Sequence, residues 1–322
     1  MNRLPASEPR LTLGATTPNS EFMDGPDAPL TLSPPQEAAN DAARVPFDIL
    51  RTTPEGAAPA SPLIFASPHS GRVYPDDMMA ASALDAAEIR KSEDAYVDAL
   101  ITGGAAHGAA VLTNRYARAY VDVNREPYEL DPGMFEDELP AFAIARSARV
   151  AAGLGAIARI VADGQEIYTR KLTFAEARGR IEAVHTPYHA ALTRLIQEAK
   201  AAFGRAVVID WHSMPSAAGR SGPGQGADFV LGDRFGQACA APVVELVERT
   251  LRGFGYKVVR NNPYAGGFTT EHYGRPANSV HALQVEIDRA LYLDETTLEA
   301  NKGYERLKQD LDVLFAVLAK NP

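Results

Sequence analysis

The sequence predicts a single α/β domain built on a mixed, mostly parallel β-sheet flanked by helices. Two observations carry that prediction. Short apolar runs, mostly bounded by Gly, Pro, Asn or charged residues, alternate with longer stretches whose apolar residues recur every three or four positions. Strands separated by helices in this way favour parallel pairing, with the helices packed on the faces of the sheet.

Residues 1–44 are rich in Pro, Ala, Ser, Thr and acids, without sustained periodicity, and read as a flexible N-terminal tail. The folded domain is expected over residues 45–322. Its strands are predicted at Leu63–Ser67, Ala110–Thr113, Ala119–Val123, Ala206–Asp210, Asp228–Leu231, Lys257–Arg260 and Ala282–Ile287. Helical patterns cover Leu84–Gly103, Ala141–Val161, Phe174–Phe203, Phe235–Gly253 and Glu295–Ala319, and Gly204 supplies a C-terminal stop for the third. Ligands in such sheets bind beyond the carboxyl ends of the strands. The polar residues that follow each apolar run are therefore the ones to examine.

Composition narrows the chemistry. The 322 residues are 46% hydrophobic and 23% charged, enough to bury a full core. A formal charge of −9 argues against a general attraction to nucleic acid or to an anionic membrane. Cys239 is the only cysteine, so neither a disulfide framework nor a cysteine-based zinc knuckle is available. A transition metal would have to be held by His and carboxylates. No run approaches the roughly 20 apolar residues of a membrane span. The opening MNRLPASEPRL lacks the apolar core of a signal peptide, so a cytoplasmic address is expected.

Two apolar runs end in histidine: PLIFASPHSG at His69 and AVVIDWHSMPS at His212. A catalytic zinc takes three protein ligands and leaves one position for water, so a third donor is needed. KSEDAYVDAL offers Glu93 and Asp94 for it, against the plainer reading of a solvated helical face. Asp210 reads equally as an acceptor behind a ligand histidine or as a strand-end charge. His185 and His189, four apart on a helix, can chelate, but the Glu of a His-Glu-x-x-His helix is missing. RAYVDVNREP brings Arg118, Asn124 and Arg125 to one strand, a cluster costly to bury without an anion and suited to a carboxylate. Glu286, between Val285 and Ile287, faces either solvent or the site; as a partly desolvated carboxylate it would suit general-base work. NNPYAGGFTTEHYGRP is a Gly-rich loop holding Tyr264, Gly266 and Gly267, which reads as a tight turn or as backbone able to approach a ligand closely.

Taken together and in this order, SPHSGRVYP, SEDAYVDAL, ARAYVDVNREP, VIDWHSMPS, NNPYAGGFTTEHYGRP and LQVEIDRALY resemble the N-formylglutamate amidohydrolase family, over roughly Pro46 to Ala319. The resemblance implies a zinc-carboxypeptidase-like fold related to aspartoacylase. It implies hydrolysis of N-formyl-L-glutamate to formate and L-glutamate, a step of histidine breakdown. A related deacylase for another small acidic N-acyl amino acid, and a non-catalytic carboxylate or metal-binding module, are the competing readings. The implied roles are His69, Asp94 and His212 as ligands of one zinc or another divalent transition metal, with Glu93 the rival to Asp94. Glu286 would be the base and Arg118 would polarise the scissile carbonyl. Asn124 and Arg125 would grip a substrate carboxylate, and Tyr264, Gly266 and Gly267 would form a substrate loop. One departure stands out: the related peptidases use His-x-x-Glu, and here Arg72 holds the Glu position.

Overall fold

A computed structural model describes residues 45–161, 164–219 and 226–321; the tail expected for residues 1–44 lies outside the described residues. The strands are β1 (Phe47–Leu50), β2 (Leu63–Ser67), β3 (Ala110–Asn114), β4 (Ala206–Met214), β5 (Phe229–Gly232), β6 (Val258–Arg260) and β7 (Val280–Asp288). They form one sheet in the order β1-β3-β2-β4-β7-β5-β6. β3, β2, β4 and β7 are mutually parallel, while β1 and β5 join antiparallel, so the sheet is mixed and mostly parallel as predicted. The α-helices are α1 (Asp76–Ala81), α2 (Val97–Ile101), α3 (Ala148–Ala151), α4 (Phe174–Arg180), α5 (Thr186–Phe203), α6 (Ser216–Gly219), α7 (Ala241–Gly253), α8 (Phe268–Tyr273) and α9 (Tyr304–Lys320). Among the described residues no helix is long and apolar enough to cross a membrane.

Strand alternation divides the core in two. Val207, Ile209 and Trp211 of β4 and Leu283, Val285 and Ile287 of β7 pack under α2, α7 and α9. There Trp211 meets the rings of Phe65 and Phe315 at centroid distances of 5.7 and 5.6 Å. Truncating a ring buried like this typically costs about 3–5 kcal/mol. On the opposite face Ala206, Val208 and Ala282 pack against Ala177 of α4 and Tyr188, Leu192 and Leu195 of α5. That second face changes character along the strands. Its next residues are Asp210 and His212 on β4 and Gln284 and Glu286 on β7, paired Asp210 with Gln284 and His212 with Glu286. The apolar half anchors the helices, and the polar half is the floor of a cleft.

Several expected elements differ, each for a physical reason. Ala119–Val123 is not a strand: β1 already occupies the free edge of β3. The segment satisfies itself through turns, with Asp122 N donating to Ala156 O and Asn124 N to the Asp122 side chain. Leu84–Gly103 is not one helix. A 3-10 turn at Ile89–Ser92 ends before Glu93, and Asp94 N donates to His69 O instead of continuing a helix. Within Ala141–Val161 only α3 forms; Gly153 adopts φ +77, and a Cβ on Gly155 would lie 2.3 Å from Glu129 O. Phe174–Phe203 is helical throughout but carries a π-turn at Ile181–His185. Pro187, which lacks an N–H, follows that turn at the start of α5. Gly204 stops α5 at φ +71, as expected. The last two helices start late, α7 at Ala241 with Pro242 in its first turn and α9 at Tyr304 after turns organised by Asp294 and Asn301.

Candidate metal centre and active-site cleft

His69 follows β2 and His212 lies near the carboxyl end of β4, so the adjacent parallel strands deliver both imidazoles to one edge. The third donor comes from the break in the predicted helix. Ser70 Oγ donates to Asp94 O at 3.0 Å and accepts from Asp98 N at 3.1 Å, fastening that break to the His-Ser-Gly turn. His212 Nδ1 lies 3.0 Å from His69 Nδ1 and 3.1 Å from Asp94 Oδ2, and His69 Nδ1 lies 3.5 Å from the same oxygen. Donors bonded to one tetrahedral zinc at about 2.0–2.2 Å sit roughly 3.3 Å apart. These three buried groups therefore match a shared cation in number, type and spacing. Glu93 is elsewhere: its carboxylate accepts from Tyr74 OH at 2.7 Å and from Arg90 Nε at 3.0 Å.

The far side of each imidazole is held by a carboxylate. His69 Nε2 meets Asp122 Oδ1 at 2.6 Å, and His212 Nε2 meets Asp210 Oδ2 at 3.1 Å. Such contacts fix ring orientation and strengthen a histidine as a ligand. Arg289 donates to Asp94 Oδ1 at 3.1 Å and to Ser213 Oγ at 3.1 Å, leaving Oδ2 to face the imidazoles. The charges express the same demand for a cation. Burial raises the Asp94 carboxyl, yet the His212 and His69 hydrogen bonds outweigh it and hold the group well below its usual range. Burial lowers the His212 imidazole, but Asp210 and Asp94 reverse this and push it well above its ordinary value.

Glu286 is buried beside this centre on β7. Burial pushes it up to about 7, the Asp94 charge adds to the rise, and His212, Gln284 and Arg118 oppose it. Gln284 Nε2 donates to Glu286 Oε1 at 2.7 Å, and Gln284 Oε1 accepts from Gly267 N at 2.7 Å, so strand and loop fix the carboxylate together. A Cβ on Gly267 would sit 2.6 Å from Asn124 Nδ2, and Gly266 adopts φ +123, so this loop needs both glycines to lie where it does.

The cleft above has a volume of about 520 Å³. Among the described residues its cations are Lys91, Arg118, Arg125, Arg149 and Arg289, a local positive field on a chain of charge −9. Tyr264, Gly266 and Gly267 line it as well. Arg118 Nη2 donates to Asp122 Oδ2 at 2.8 Å. Arg125 donates to the carbonyls of Leu154 and Asn124 at 3.0 and 2.9 Å. Asn124 stands in the wall with its amide already engaged: Oδ1 accepts from Thr269 N at 2.8 Å and Nδ2 donates to Asp210 Oδ2 at 3.2 Å. His185 and His189 do not form a chelating pair. Their Nε2 atoms bond the carbonyls of Arg125 at 2.9 Å and Val123 at 2.7 Å, bracing the segment on either side of Asn124.

A family model for N-formylglutamate amidohydrolase matches residues 61–293, a span that includes every cleft residue named above. This chain belongs to the N-formylglutamate amidohydrolase family. Among its relatives, the N-formylglutamate deformylase of Pseudomonas aeruginosa is 31% identical over 238 residues, covering 73% of this chain and 83% of that one. The N-formylglutamate deformylase of Pseudomonas putida is 28% identical over a stretch of the same length. The crystal structure of N-formylglutamate amidohydrolase from Ralstonia eutropha matches with a TM-score of 0.80 and 40% identity, over 86% of this chain and 98% of that one. A protein from Agrobacterium tumefaciens, 17% identical with a TM-score of 0.60, shares the fold.

Sequence reasoning missed several residues of this cleft, Asp122, Gln284 and Arg289 among them. Asp122 had a usable signal, since it stands between the buried Val121 and Val123 as Glu286 stands between Val285 and Ile287. Gln284 had a weaker one, the same strand face as Glu286. Arg289 had none, because its contact with Asp94 joins segments 195 positions apart.

Proposed function

We propose that this amidohydrolase cleaves N-formyl-L-glutamate to formate and L-glutamate, using one zinc ion held by His69, Asp94 and His212. Other divalent transition metals suit the same donors. The observation that carries the reading is the trio of buried donors spaced for one cation, with Glu286 on the paired strand beside them. Bound zinc would supply Lewis acidity, polarising the formyl carbonyl and lowering the pKa of water towards about 7.

The chain's own groups do the rest. Glu286 takes a proton from the attacking water as the new C–O bond forms and passes it to the amide nitrogen, so that the C–N bond breaks as the carbonyl re-forms. Arg118, anchored by Asp122, donates to the developing oxyanion, an effect often worth roughly 3 kcal/mol per donor. Arg125 receives a carboxylate of the substrate while Asn124 keeps the adjoining wall and His212 in register. Tyr264 and the backbone at Gly266 and Gly267 close over the bound molecule and limit water.

The test is product analysis on the purified protein, with formate release from N-formyl-L-glutamate compared with acetate release from N-acetyl-L-glutamate. Formate release should be faster by at least about tenfold in kcat/KM, the scale on which a pocket senses one extra carbon. Equal or faster acetate release would contradict the formyl assignment. Absence of both products would contradict the hydrolase reading itself.

A further inference from the structure

Arg149 lines the cleft but lies outside the machinery described so far. It belongs to α3, the short helix salvaged from a longer predicted one, and its side chain is 34% exposed. Its nearest carboxylate is Glu129, with Arg149 Nη1 and Glu129 Oε2 separated by 3.7 Å, beyond hydrogen-bond range. Among the described residues the guanidinium makes no hydrogen bond, and Glu129 Oε2 is buried without one. Glu129 Oε1 is taken by Ser147 Oγ at 2.5 Å.

Arg149 and Arg125 are tied to one turn. Leu154 N donates to Arg149 O at 2.8 Å, and Leu154 O accepts from Arg125 Nε at 3.0 Å. Burial lowers the Arg125 pKa, and the charges of Arg118 and Arg149 both add to that lowering. Among the described residues, these three guanidiniums have Asp122 and Glu129 as their ion-pair carboxylates, and Arg118 also feels the charges of Asp94 and Glu286. Such crowding is stabilised by anions that enter from the cleft. Apolar Leu154, Ala158 and Ile160 also line the cleft, a surface suited to methylene groups.

We propose that Arg149 binds the side-chain carboxylate of a dicarboxylic N-acyl amino acid, beyond Arg125, which takes the α-carboxylate. The assignment rests on the amidohydrolase reading above and gives that reading its amino-acid specificity. An N-formyl amino acid carries its α-carboxylate next to the scissile amide, so that group stays near the metal centre. The two methylenes of glutamate then carry the second carboxylate away from the centre, along the apolar strip to Arg149.

The experiment compares N-formyl-L-glutamate with N-formyl-L-glutamine, which matches it in shape but lacks the second charge. Wild type, Arg149→Gln, Arg149→Lys and Lys91→Met are assayed for KM and kcat separately. Lys91 is included as a cation that lines the cleft outside the proposed machinery. For Arg149→Gln the KM for N-formylglutamate should rise on the order of 10–100-fold, the scale of one charged hydrogen-bonded contact, with kcat little changed. The KM ratio between the two substrates should collapse towards one. Arg149→Lys should recover part of that ratio, and Lys91→Met should keep it. A preserved ratio in Arg149→Gln, an equal loss on both substrates, or a collapse in Lys91→Met instead would overturn the assignment. Failure of wild type to release formate from either substrate would instead contradict the amidohydrolase reading, and the subsite would fall with it.

Discussion

At the scale of single residues, Glu286 stands under opposed influences. Burial and the Asp94 charge favour its neutral form, while Gln284 and Arg118 favour the carboxylate that a base must be. Glu286→Gln preserves shape and the partner at Gln284 but cannot accept a proton. We expect kcat to fall by about 10²–10⁴-fold, with metal content and melting temperature close to wild type. A variant with near-normal turnover would remove Glu286 from the mechanism. The pH dependence has a defined sign. The base works ionised, so kcat/KM rises as pH rises through its pKa. That pKa is pushed up to about 7 by burial, and a cation at the neighbouring centre lowers it, so the acid limb should fall at or below about 7. The same limb surviving in the residual rate of Glu286→Gln would assign it to another group.

His69, His212 and Glu286 could be picked out in the sequence because strand alternation and strand ends are local signals. Asp94 was harder, since its reach depends on a helix that breaks. Asn124 shows the limit of reading residue types alone. An Asn beside an Arg suggests a ligand contact, yet its amide is engaged by Thr269 N and Asp210, partners remote in the chain.

At the scale of elements, the centre depends on how tightly the turn after β2 lies against neighbouring chain. Arg72 N and Val73 N both donate to Arg115 O at 2.9 Å, and a Cβ on Gly71 would stand 2.1 Å from Tyr116 O. Gly71→Ala should therefore displace backbone and cost about 1–3 kcal/mol in denaturant unfolding, with activity reduced because His69 and Ser70 move with the turn. Gly179→Ala in α4 is the control: a Cβ there meets nothing within 4 Å, and the change should stabilise by about 0.5–1 kcal/mol. Equal effects of the two substitutions would show that the turn has slack.

The sheet's interior strands were legible because β2, β4 and β7 are apolar runs buried along nearly their whole length. The segment from Ala117 to Leu172 was not. Its buried residues, Val121, Val123, Leu130 and Phe135 among them, are held by turns and isolated bridges rather than by a periodic element. Periodicity cannot report structure of that kind. α3 and its Arg149 lie inside it, which is why the cleft's outer wall escaped prediction.

At the scale of the whole molecule, an acidic chain meets an acidic substrate by concentrating cations in one concavity. Among the described residues, five basic side chains line a cleft that also contains Asp94, Asp122 and Glu286. The net charge of −9 could be read from composition, but where the positive charge gathers depends on contacts between distant segments. Everything functional in the account depends on those contacts producing a single cation site from His69, Asp94 and His212. The most direct measurement is the metal content of purified wild type and His212→Ala after each is loaded with zinc and desalted, with formate release assayed on the same samples. About one ion per chain is expected in wild type, and below roughly a tenth of that in the variant together with loss of formate release. Full metal occupancy in His212→Ala, or undiminished formate release from wild type stripped of metal by a chelator, would contradict it.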